Sequence, residues 1–561
     1  MQDKSKAEIK RVALKAGTAT LADQLGKAQS RKSVKMRVVT DDLAVSGKSK
    51  SATNSSRSLE KRLVDLKQRL AEISDLTAAS AVLSWDQATY MPKGGAEARG
   101  RQCATLSRIG HQKLIDPSLG RLIEQLSPLM ESRAADDNDA AMVRVTRREF
   151  ERAVKVPATL VERISEHCNR TYTTWTEARP ANDFARVAPL LAAGVDLARE
   201  LAHKLGGGAH IMDPLIDGSE PGMTVSDARA LFDALRPPLL DLLTAATASK
   251  PCDDACLLQH FPEAKQLAFG LKMAEHFGFD LTRGRLDQSP HPFCTTFATG
   301  DVRITTRVKA NDLSETLYST LHEGGHALYE QGVAPTFDRT PLAGGASAGV
   351  HESQSRLWEN IVGRGEHFLT YAYPLLQRQF PDQLRRIPLK TFYRAVNRVT
   401  PSLIRTDADE LTYNLHIMIR FDLECDMLEG RLVVKDLPDA WNARYGQDLG
   451  VTPSTHTDGC LQDVHWFGGL VGGAFQSYTI GNILSAQFYA SAVNRHPSIP
   501  EEIGVGKFAT LHDWLADNIY RHGRKFQPAD LVQRVTGGPM STAPYLDYLS
   551  AKYGALADAR S

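Results

Sequence analysis

Apolar residues recur every three or four positions along much of the chain, which is the spacing of an α-helix with one buried face. One such stripe, Leu59 to Ile73, follows Ser58, which the pattern predicts as the helix N-cap. Another stripe covers Phe184 to Leu205 and ends at three consecutive glycines, a typical C-terminal signal. The periodicity therefore predicts a mainly α-helical protein.

A short stretch has the composition of β-strands instead. Residues 294–297 and 302–308 are rich in β-branched side chains, and residues 298–301 between them favour a turn. This stretch predicts a small β-hairpin in an otherwise helical protein. It lies directly before the segment that carries the most distinctive chemistry.

The N-terminal segment differs in composition from the rest of the chain. Residues 1–57 hold thirteen Lys and Arg against five Asp and Glu, and they include no aromatic residue. This composition predicts a basic, disordered extension, with an organellar targeting segment as the alternative. Residues 58–561 are then expected to form the folded domain.

Charge and cysteine usage restrict the partners and the compartment. The formal net charge of the 561 residues is +1, which indicates neither nucleic acid nor a membrane as a partner. No apolar run approaches the roughly 18 residues of a membrane span. The seven cysteines are odd in number and scattered, which favours free thiols in a reducing compartment such as the cytoplasm.

The most distinctive motif is H-E-x-x-H at residues 322–326. On a helix, positions i and i+4 share a face, so His322 and His326 can bind one ion, and neutral imidazole suits Zn²⁺. Glu323 projects at a neighbouring angle and can reach a water at the metal without being a ligand. Gly324 and Gly325 each cost about 1 kcal/mol of helix stability, which predicts a close backbone approach to the metal site or to an adjacent strand.

A catalytic zinc ion needs three protein ligands and one open position. Glu352, which follows a glycine-rich connection, is a candidate for the third ligand. Glu359 lies seven residues later on nearly the same helix face, so it is either the rival ligand or a partner that orients a histidine. Either glutamate could instead form a helical ion pair, such as Glu352 with Arg356. Spacing leaves these alternatives open.

Further motifs occur in a fixed order from about Leu59 to the C-terminus, and with them the chain resembles the metallocarboxypeptidases of the carboxypeptidase Taq type. They are W-D-Q at Trp85–Gln87 followed by Met91-Pro92 and Gly94-Gly95, D-x-R-x-T at Asp301–Thr305, H-E-G-G-H at His322–His326, H-E-S-Q at His351–Gln354, I-R-x-x-A-D at Ile404–Asp409 and G-x-x-Q-D-x-H-W at Gly459–Trp466.

The resemblance implies a mainly α-helical protein with two lobes that flank a deep groove, usually a homodimer. It implies removal of single residues from peptide C-termini with broad specificity, generally sparing proline, and use of Zn²⁺ that Co²⁺ often replaces. Residues 58–561 would be the catalytic domain. Carried over by motif, the metal ligands are His322, His326 and Glu352, and Glu323 is the catalytic carboxylate.

An enzyme of this kind must recognise a free C-terminal carboxylate. Arg405 is the predicted clamp, because a guanidinium group binds a carboxylate through two parallel hydrogen bonds. The alternative is that Arg405 pairs with Asp407 or Asp409.

Three other residues are candidates for contacts with the substrate. His465 and Tyr413 could donate to the oxyanion that develops at the scissile carbonyl. Arg303, in the predicted hairpin, could pair with the substrate, limit how much peptide extends past the cut, or brace the hairpin.

Two competing functions keep the same metal motif. A zinc oligopeptidase, acting as an endopeptidase or dipeptidase, needs no carboxylate clamp. A catalytically silent peptide-binding scaffold would keep the fold, but the intact set of His322, Glu323, His326 and Glu352 argues against it.

Overall fold

The structure is a computed structural model that describes residues 49–248 and 252–558, with side chains for residues 57–248 and 252–556. Contacts divide the chain into two units, Met1–Arg57 and Ser58–Ser561, and the architecture below is that of the second unit. Residues 1–48, which hold most of the predicted basic extension, lie outside the described residues. The extension therefore stays a prediction.

Helices account for most of the described residues, as the periodicity predicts. They are α1 (Ser49–Thr89), α2 (Ala96–Leu114), α3 (Pro117–Glu131), α4 (Asn138–Lys155), α5 (Ala158–Ala178), α6 (Phe184–Leu205), α7 (Asp213–Ser219), α8 (Val225–Thr247), α9 (Glu263–Phe277), α10 (Leu313–Gly332), α11 (Ala348–Arg356), α12 (Glu366–Gln379), α13 (Pro381–Leu384), α14 (Leu389–Val396), α15 (Tyr413–Glu429), α16 (Leu437–Leu449), α17 (His465–Gly468), α18 (Gln476–Arg495), α19 (Ile499–Gly504), α20 (Ala509–Asn518), α21 (Pro528–Thr536) and α22 (Ala543–Asp558). A π-helical turn, Leu357–Val362, continues α11. Short 3₁₀ turns occupy Lys93–Gly95, Pro335–Phe337, Arg405–Asp407, Val434–Asp436 and Tyr520–His522.

The helix boundaries test two expectations from the sequence. Helix α6 spans Phe184–Leu205 and ends at Gly206, whose φ of 67° lies in the left-handed region that glycine favours. That prediction is confirmed. The predicted N-cap at Ser58 is wrong, because α1 begins at Ser49 and Ser58 lies inside it. The error arose because the apolar stripe begins only at Leu59, whereas the helix itself begins ten residues earlier.

A three-stranded sheet in the order β1-β3-β2 accompanies the helices. Strands β2 (Cys294–Ala298) and β3 (Asp301–Thr306) pair antiparallel, which confirms the predicted hairpin. Strand β1 (Gly284–Gln288) pairs parallel to β3 and was not predicted. Its residues include none of the β-branched or aromatic types that mark a strand, so only the pairing with β3 makes it one.

Two clusters of buried apolar side chains form the core. In the first cluster, α10 packs between α9 and α11 and against the sheet, with Leu317, Leu321 and Leu328 as its buried face. Helix α11 packs in turn along α18. None of the described helices combines the length and the apolar character needed to cross a membrane. The predicted mainly helical fold with a small sheet is confirmed.

The two glycines inside α10 have different environments. A Cβ atom on Gly325 would lie 2.5 Å from the carbonyl oxygen of Gln354 and 2.7 Å from the Cα of Ser355, so this glycine lets α10 and α11 touch backbone to backbone. A Cβ atom on Gly324 would meet only the Cβ of Ala274, at an ordinary 3.7 Å. The predicted close approach is therefore real at Gly325, and its partner is α11.

We expect opposite effects from the two glycine-to-alanine substitutions. Gly324→Ala should raise the free energy of unfolding by about 1 kcal/mol, because alanine costs less backbone entropy in a helix. Gly325→Ala should lower it by about 1–3 kcal/mol, because the methyl group would force two helix backbones apart. Denaturant unfolding of both variants in the presence of a chelator makes the comparison, and equal effects would contradict it.

Candidate metal centre and active site

Helix α10 presents its two histidines from one face. The side chain of Asp312 caps the helix by accepting a hydrogen bond from the backbone N–H of Ser314 at 3.0 Å. One turn separates His322 from His326, and their ring centroids lie 5.0 Å apart. Both Nε2 atoms point toward Glu352 on α11.

Glu352 completes a convergent group of donor atoms. Its Oε2 lies 3.3 Å from Nε2 of His326 and 3.7 Å from Nε2 of His322. Its Oε1 accepts a hydrogen bond of 2.7 Å from Nε of Arg356. The pair with Arg356 is thus real but buried, and it holds one carboxylate oxygen while the other faces the imidazoles. A Cβ atom on Gly481 of α18 would overlap the Glu352 side chain, so that glycine provides the space for it.

Glu359 lies on the other side of the His322 ring. Its Oε2 is 2.8 Å from Nδ1 of His322, whereas Glu352 faces Nε2 of the same ring. The π-helical turn displaces Glu359 from the position that a regular helix would give it. Burial disfavours the charged form of Glu359, but the hydrogen bond from His322 and the charge of Arg356 outweigh it and lower its pKa to about 2. This geometry favours Glu352 as the ligand and Glu359 as the group that orients His322.

The donor set fits a divalent cation of the zinc type. The ligand atoms of His322, His326 and Glu352 all lie within 4.8 Å of one another. Burial and the neighbouring His351 lower the pKa of His326 to about 4, so its imidazole is neutral, which is the form that binds a metal. Two imidazoles and one carboxylate form a set typical of catalytic zinc.

Glu323 is buried beside this group. Burial raises the pKa of its carboxyl to about 7, with the negative charge of Glu352 adding to the shift and the charge of His322 opposing it. A carboxylate with such a pKa can both accept and release a proton near neutral pH.

A second polar cluster lies next to the metal group and contains the predicted clamp. Nε of Arg405 is 2.5 Å from Oδ2 of Asp463, and Nη1 donates to the hydroxyl of Tyr413 at 3.2 Å. Nε of Arg420 lies 3.0 Å from the same Oδ2 atom. The alternative pairing of Arg405 with Asp407 or Asp409 is wrong. Arg405 pairs instead with Asp463, which is 58 residues away in sequence on the G-x-x-Q-D-x-H-W segment.

Tyr413 and His465 connect the two clusters. The guanidinium of Arg356 lies 4.3 Å from the centroid of the Tyr413 ring, so Tyr413 touches the arginines of both clusters. His465 places Nδ1 2.5 Å from Oδ1 of Asp463 and Nε2 3.0 Å from the hydroxyl of Tyr478. The structure therefore brings Arg405 and His465 into contact with Asp463, and Tyr413 into contact with Arg405.

Arg303 has a different environment. It forms two hydrogen bonds of 2.8 Å with Asp301, and its guanidinium lies between the rings of Trp85 and Phe297, 4.4 and 4.8 Å from their centroids. Arg303 thus ties the end of α1 to the hairpin, which agrees with the bracing alternative.

A cleft of about 490 Å³ opens beside the metal group. Glu352, His351 and Tyr478 line it together with Ser219, Ser347 and Ser477. Glu220, the residue after Ser219, accepts a hydrogen bond of 2.5 Å from the backbone N–H of Gly349, in the first turn of α11. A buried carboxylate thus anchors the helix that carries Glu352.

Sequence reasoning missed several of these residues. Glu220 and Tyr478 belong to none of the recognised motifs, and no local spacing marks them, because they reach the site through tertiary packing. His351 stands beside Glu352 in the H-E-S-Q motif, and its Nε2 lies 2.8 Å from Oε1 of Glu330 while its ring stacks on His326. The spacing of four between Glu352 and Arg356 did indicate their contact.

Comparison with known proteins gives the same picture. Residues 65–553 match the family model of the carboxypeptidase Taq (M32) metallopeptidases. The thermostable carboxypeptidase 1 of Thermus thermophilus is 40% identical over 497 residues, which cover 86% of this chain and 97% of that protein. Carboxypeptidase 1 of Bacillus subtilis is 36% identical over 499 residues, 89% of this chain and 98% of that protein. The crystal structure of an M32 carboxypeptidase from Deinococcus radiodurans R1 aligns with a TM-score of 0.86 and 46% identity, over 89% of this chain and 100% of that chain.

The chain belongs to the carboxypeptidase Taq (M32) family of metallopeptidases. The resemblance inferred from the motifs is thereby confirmed, and the protein is a peptide hydrolase of the metallocarboxypeptidase class. As a member of the M32 family it requires a divalent metal.

Two glutamates on the same helical segment should differ in their effect on metal affinity. Glu359→Ala should weaken Zn²⁺ binding about 10- to 100-fold, the usual range for a group that orients a ligand. Glu352→Ala should weaken it further, because it removes a ligand. Chelator competition measures both, with the exposed Glu366→Ala as a control that should match wild type. The reverse order of affinities would show that Glu359 is the ligand.

Proposed function

We propose that this M32 protein removes single amino acids from the C-termini of peptides, with broad specificity, as a zinc carboxypeptidase. One observation carries the proposal: two imidazole nitrogens and one carboxylate oxygen converge within 4.8 Å beside a buried glutamate, at the edge of a cleft. His322, His326 and Glu352 would hold the metal, and Co²⁺ could replace Zn²⁺ there. A divalent ion so held would act as a Lewis acid on the scissile carbonyl and on the attacking water.

Glu323 is the proposed general base. Its buried carboxylate accepts a proton from a water molecule as the water attacks the carbonyl carbon, and it later passes that proton to the leaving amine. A pKa near 7 suits both transfers. The amine departs as a free amino acid when the cut falls one residue from the C-terminus.

Arg405 remains the proposed clamp for the substrate carboxylate, although Asp463 already occupies one edge of its guanidinium. The charge balance supports this role. Arg405 and Arg420 together carry two positive charges, and the single carboxylate of Asp463 neutralises one of them. A substrate carboxylate would balance the remaining charge in a site where unpaired charge is costly.

His465 and Tyr413 are the proposed donors to the developing oxyanion. Tyr413 contacts Arg405 and His465 contacts Asp463, so both lie beside the proposed clamp. Arg303 is proposed to brace the hairpin, and the hairpin in turn would limit how much peptide extends past the cut.

The competing functions differ in what they demand of the Arg405 cluster. An oligopeptidase, acting as an endopeptidase or dipeptidase, needs no carboxylate clamp, so it does not require a buried positive charge beside the metal group. A silent scaffold would have no need of the intact set of His322, Glu323, His326 and Glu352. Both features favour a working carboxypeptidase.

A homodimer is proposed from the family resemblance, and a cytoplasmic location is proposed from the use of cysteine. Six described cysteines, Cys103, Cys168, Cys256, Cys294, Cys425 and Cys460, are free thiols, which agrees with a reducing compartment.

Substitution of Glu323 by glutamine should separate metal binding from catalysis. Glu323→Gln should bind Zn²⁺ stoichiometrically and lose nearly all turnover, because it removes the base and no ligand. Product masses from a mixed peptide set measure turnover, and wild type should release single C-terminal residues. Release of internal fragments by wild type would favour the oligopeptidase, and full activity in metal-loaded Glu323→Gln would exclude this base.

The clamp is tested by comparing one peptide with and without C-terminal amidation. Arg405→Ala should lower kcat/KM on the free acid by roughly two to three powers of ten, because losing one partner of a buried charge pair typically costs about 3–5 kcal/mol. Arg405→Lys should retain part of the activity, since lysine keeps the charge but lacks the planar guanidinium that makes two parallel hydrogen bonds. The exposed Arg431→Ala is the control. Equal cleavage of both peptides by wild type would mean that the enzyme is no carboxypeptidase.

A further inference from the structure

Residues of α22, the last helix of the described chain, form a buried polar cluster around Glu410. Nζ of Lys552 lies 2.7 Å from Oε2 of Glu410, and the hydroxyl of Tyr553 donates to the same oxygen at 2.9 Å. The hydroxyl of Tyr548 donates to Oε1 of Glu410 at 2.8 Å. The side chains of Lys552 and Glu410 are only 5% and 4% exposed. An ion pair this deeply buried is held by a complete set of hydrogen bonds.

The cluster reaches the π-helical turn that follows α11. The hydroxyl oxygen of Tyr548 also lies 3.2 Å from the backbone carbonyl oxygen of Asn360, so its single proton is shared between this carbonyl and Glu410. Nζ of Lys552 donates to the same carbonyl at 3.5 Å. Asn360 directly follows Glu359, whose carboxylate holds Nδ1 of His322. Residues of α22 therefore contact the backbone immediately after Glu359, the residue that orients the proposed metal ligand His322.

Arg364 holds the same turn from another side. Its Nε donates to Oδ1 of Asn360 at 3.1 Å, and its Nη2 lies 3.4 Å from Oε1 of Glu359. Its guanidinium also lies 3.7 Å from the centroid of the Tyr318 ring on α10. The turn that bears Glu359 is thus fixed between Arg364 and α22. π-Helical turns are rare and occur frequently at functional sites.

A purely structural role for the cluster would be to dock α22 on the body of the protein. The apolar residues of α22 already do this, since Tyr545, Leu549 and Leu556 are buried in the second core cluster. Replacing a buried ion pair by apolar groups of similar volume is often neutral or stabilising. Docking alone therefore does not explain why the polar groups of α22 meet the carbonyl of Asn360.

We infer that Tyr548, Lys552 and Glu410 are positioning residues for the metal centre. They fix the π-helical turn through the carbonyl of Asn360, and the turn aims the Glu359 carboxylate at Nδ1 of His322. The C-terminal helix thereby sets the orientation of a ligand that lies more than 200 residues earlier in the chain. The inference rests on the proposed metal site.

The coupling is expected because a hydrogen bond depends steeply on its angle and distance. A small displacement of the π-helical turn would weaken the bond between Glu359 and His322 while leaving the fold intact. The imidazole would then be held less firmly with Nε2 toward the metal, and metal affinity would fall.

Two tyrosines of α22 provide a matched pair for the test. Tyr548→Phe removes the hydroxyl that touches both Asn360 and Glu410. Tyr545→Phe removes a buried hydroxyl from the same helix, but that hydroxyl accepts from Asn414. Both variants are loaded with Co²⁺, and three quantities are measured: affinity by chelator competition, the visible absorption spectrum of bound Co²⁺, and the melting temperature of the metal-free protein.

Tyr548→Phe should lower Co²⁺ affinity about ten-fold, the lower end of the range for groups that support a ligand, and should shift the visible bands. Tyr545→Phe should keep both within about two-fold of wild type, although the two melting temperatures fall by similar amounts. Equal affinities and spectra for the two variants would overturn the inference and leave α22 a docking element.

Lys552→Met alone could prevent folding, because it leaves Glu410 buried without its cation. The double variant Glu410→Gln/Lys552→Met removes both charges and should recover most of the melting temperature, while Co²⁺ affinity stays below that of wild type. Recovery of wild-type affinity in the double variant would contradict a positioning role. If the wild-type protein bound no Co²⁺ through His322, His326 and Glu352, the proposed metal site would itself be wrong, and the inference would fall with it.

Discussion

Backbone contact between α10 and α11 at Gly325 is the constraint on which the metal centre depends. The two histidines come from one helix and Glu352 comes from the other, so their donor atoms converge only if the two backbones approach closely. A side chain as small as a methyl group at position 325 would fill that gap. Gly481 on α18 provides the space for the side chain of Glu352, which a larger residue there would exclude. Helix α11 thus contacts one glycine on α10 and another on α18, and the helix propensity that these two glycines cost is offset by the position of the Glu352 carboxylate.

Charges around this contact are balanced in pairs that cross between elements. Arg356 holds one oxygen of Glu352 and stacks on Tyr413, which accepts a hydrogen bond from Arg405. Arg405 in turn shares Asp463 with Arg420 and His465. Because these groups are buried, each has a fixed partner, and the network forms one continuous arrangement from the metal group to the proposed carboxylate clamp. Within it, Arg405 and Arg420 share the single carboxylate of Asp463.

Two further supports hold the segment that carries Glu352 and Glu359. Glu220 holds the first turn of α11 through the N–H of Gly349, and α22 and Arg364 hold the π-helical turn at its other end. The segment that carries both Glu352 and Glu359 is therefore anchored at each end by a buried polar group from a distant part of the chain. Such anchoring is what keeps a metal ligand within the narrow range of productive geometries.

Local sequence alone predicted the helical fold, the hairpin of β2 and β3, the end of α6 at Gly206 and the histidine pair at 322 and 326. Each of these depends on the spacing of side chains within a few turns or on a short turn, which is information that a single stretch of chain contains. Spacing could not choose between Glu352 and Glu359, because residues seven apart share a helix face and the choice depends on which nitrogen of His322 each one meets. Strand β1 and the pairing of Arg405 with Asp463 were likewise invisible, since both are created by partners far away in sequence. Tertiary packing alone decided these features, because it determines which distant group is close enough to satisfy a buried charge.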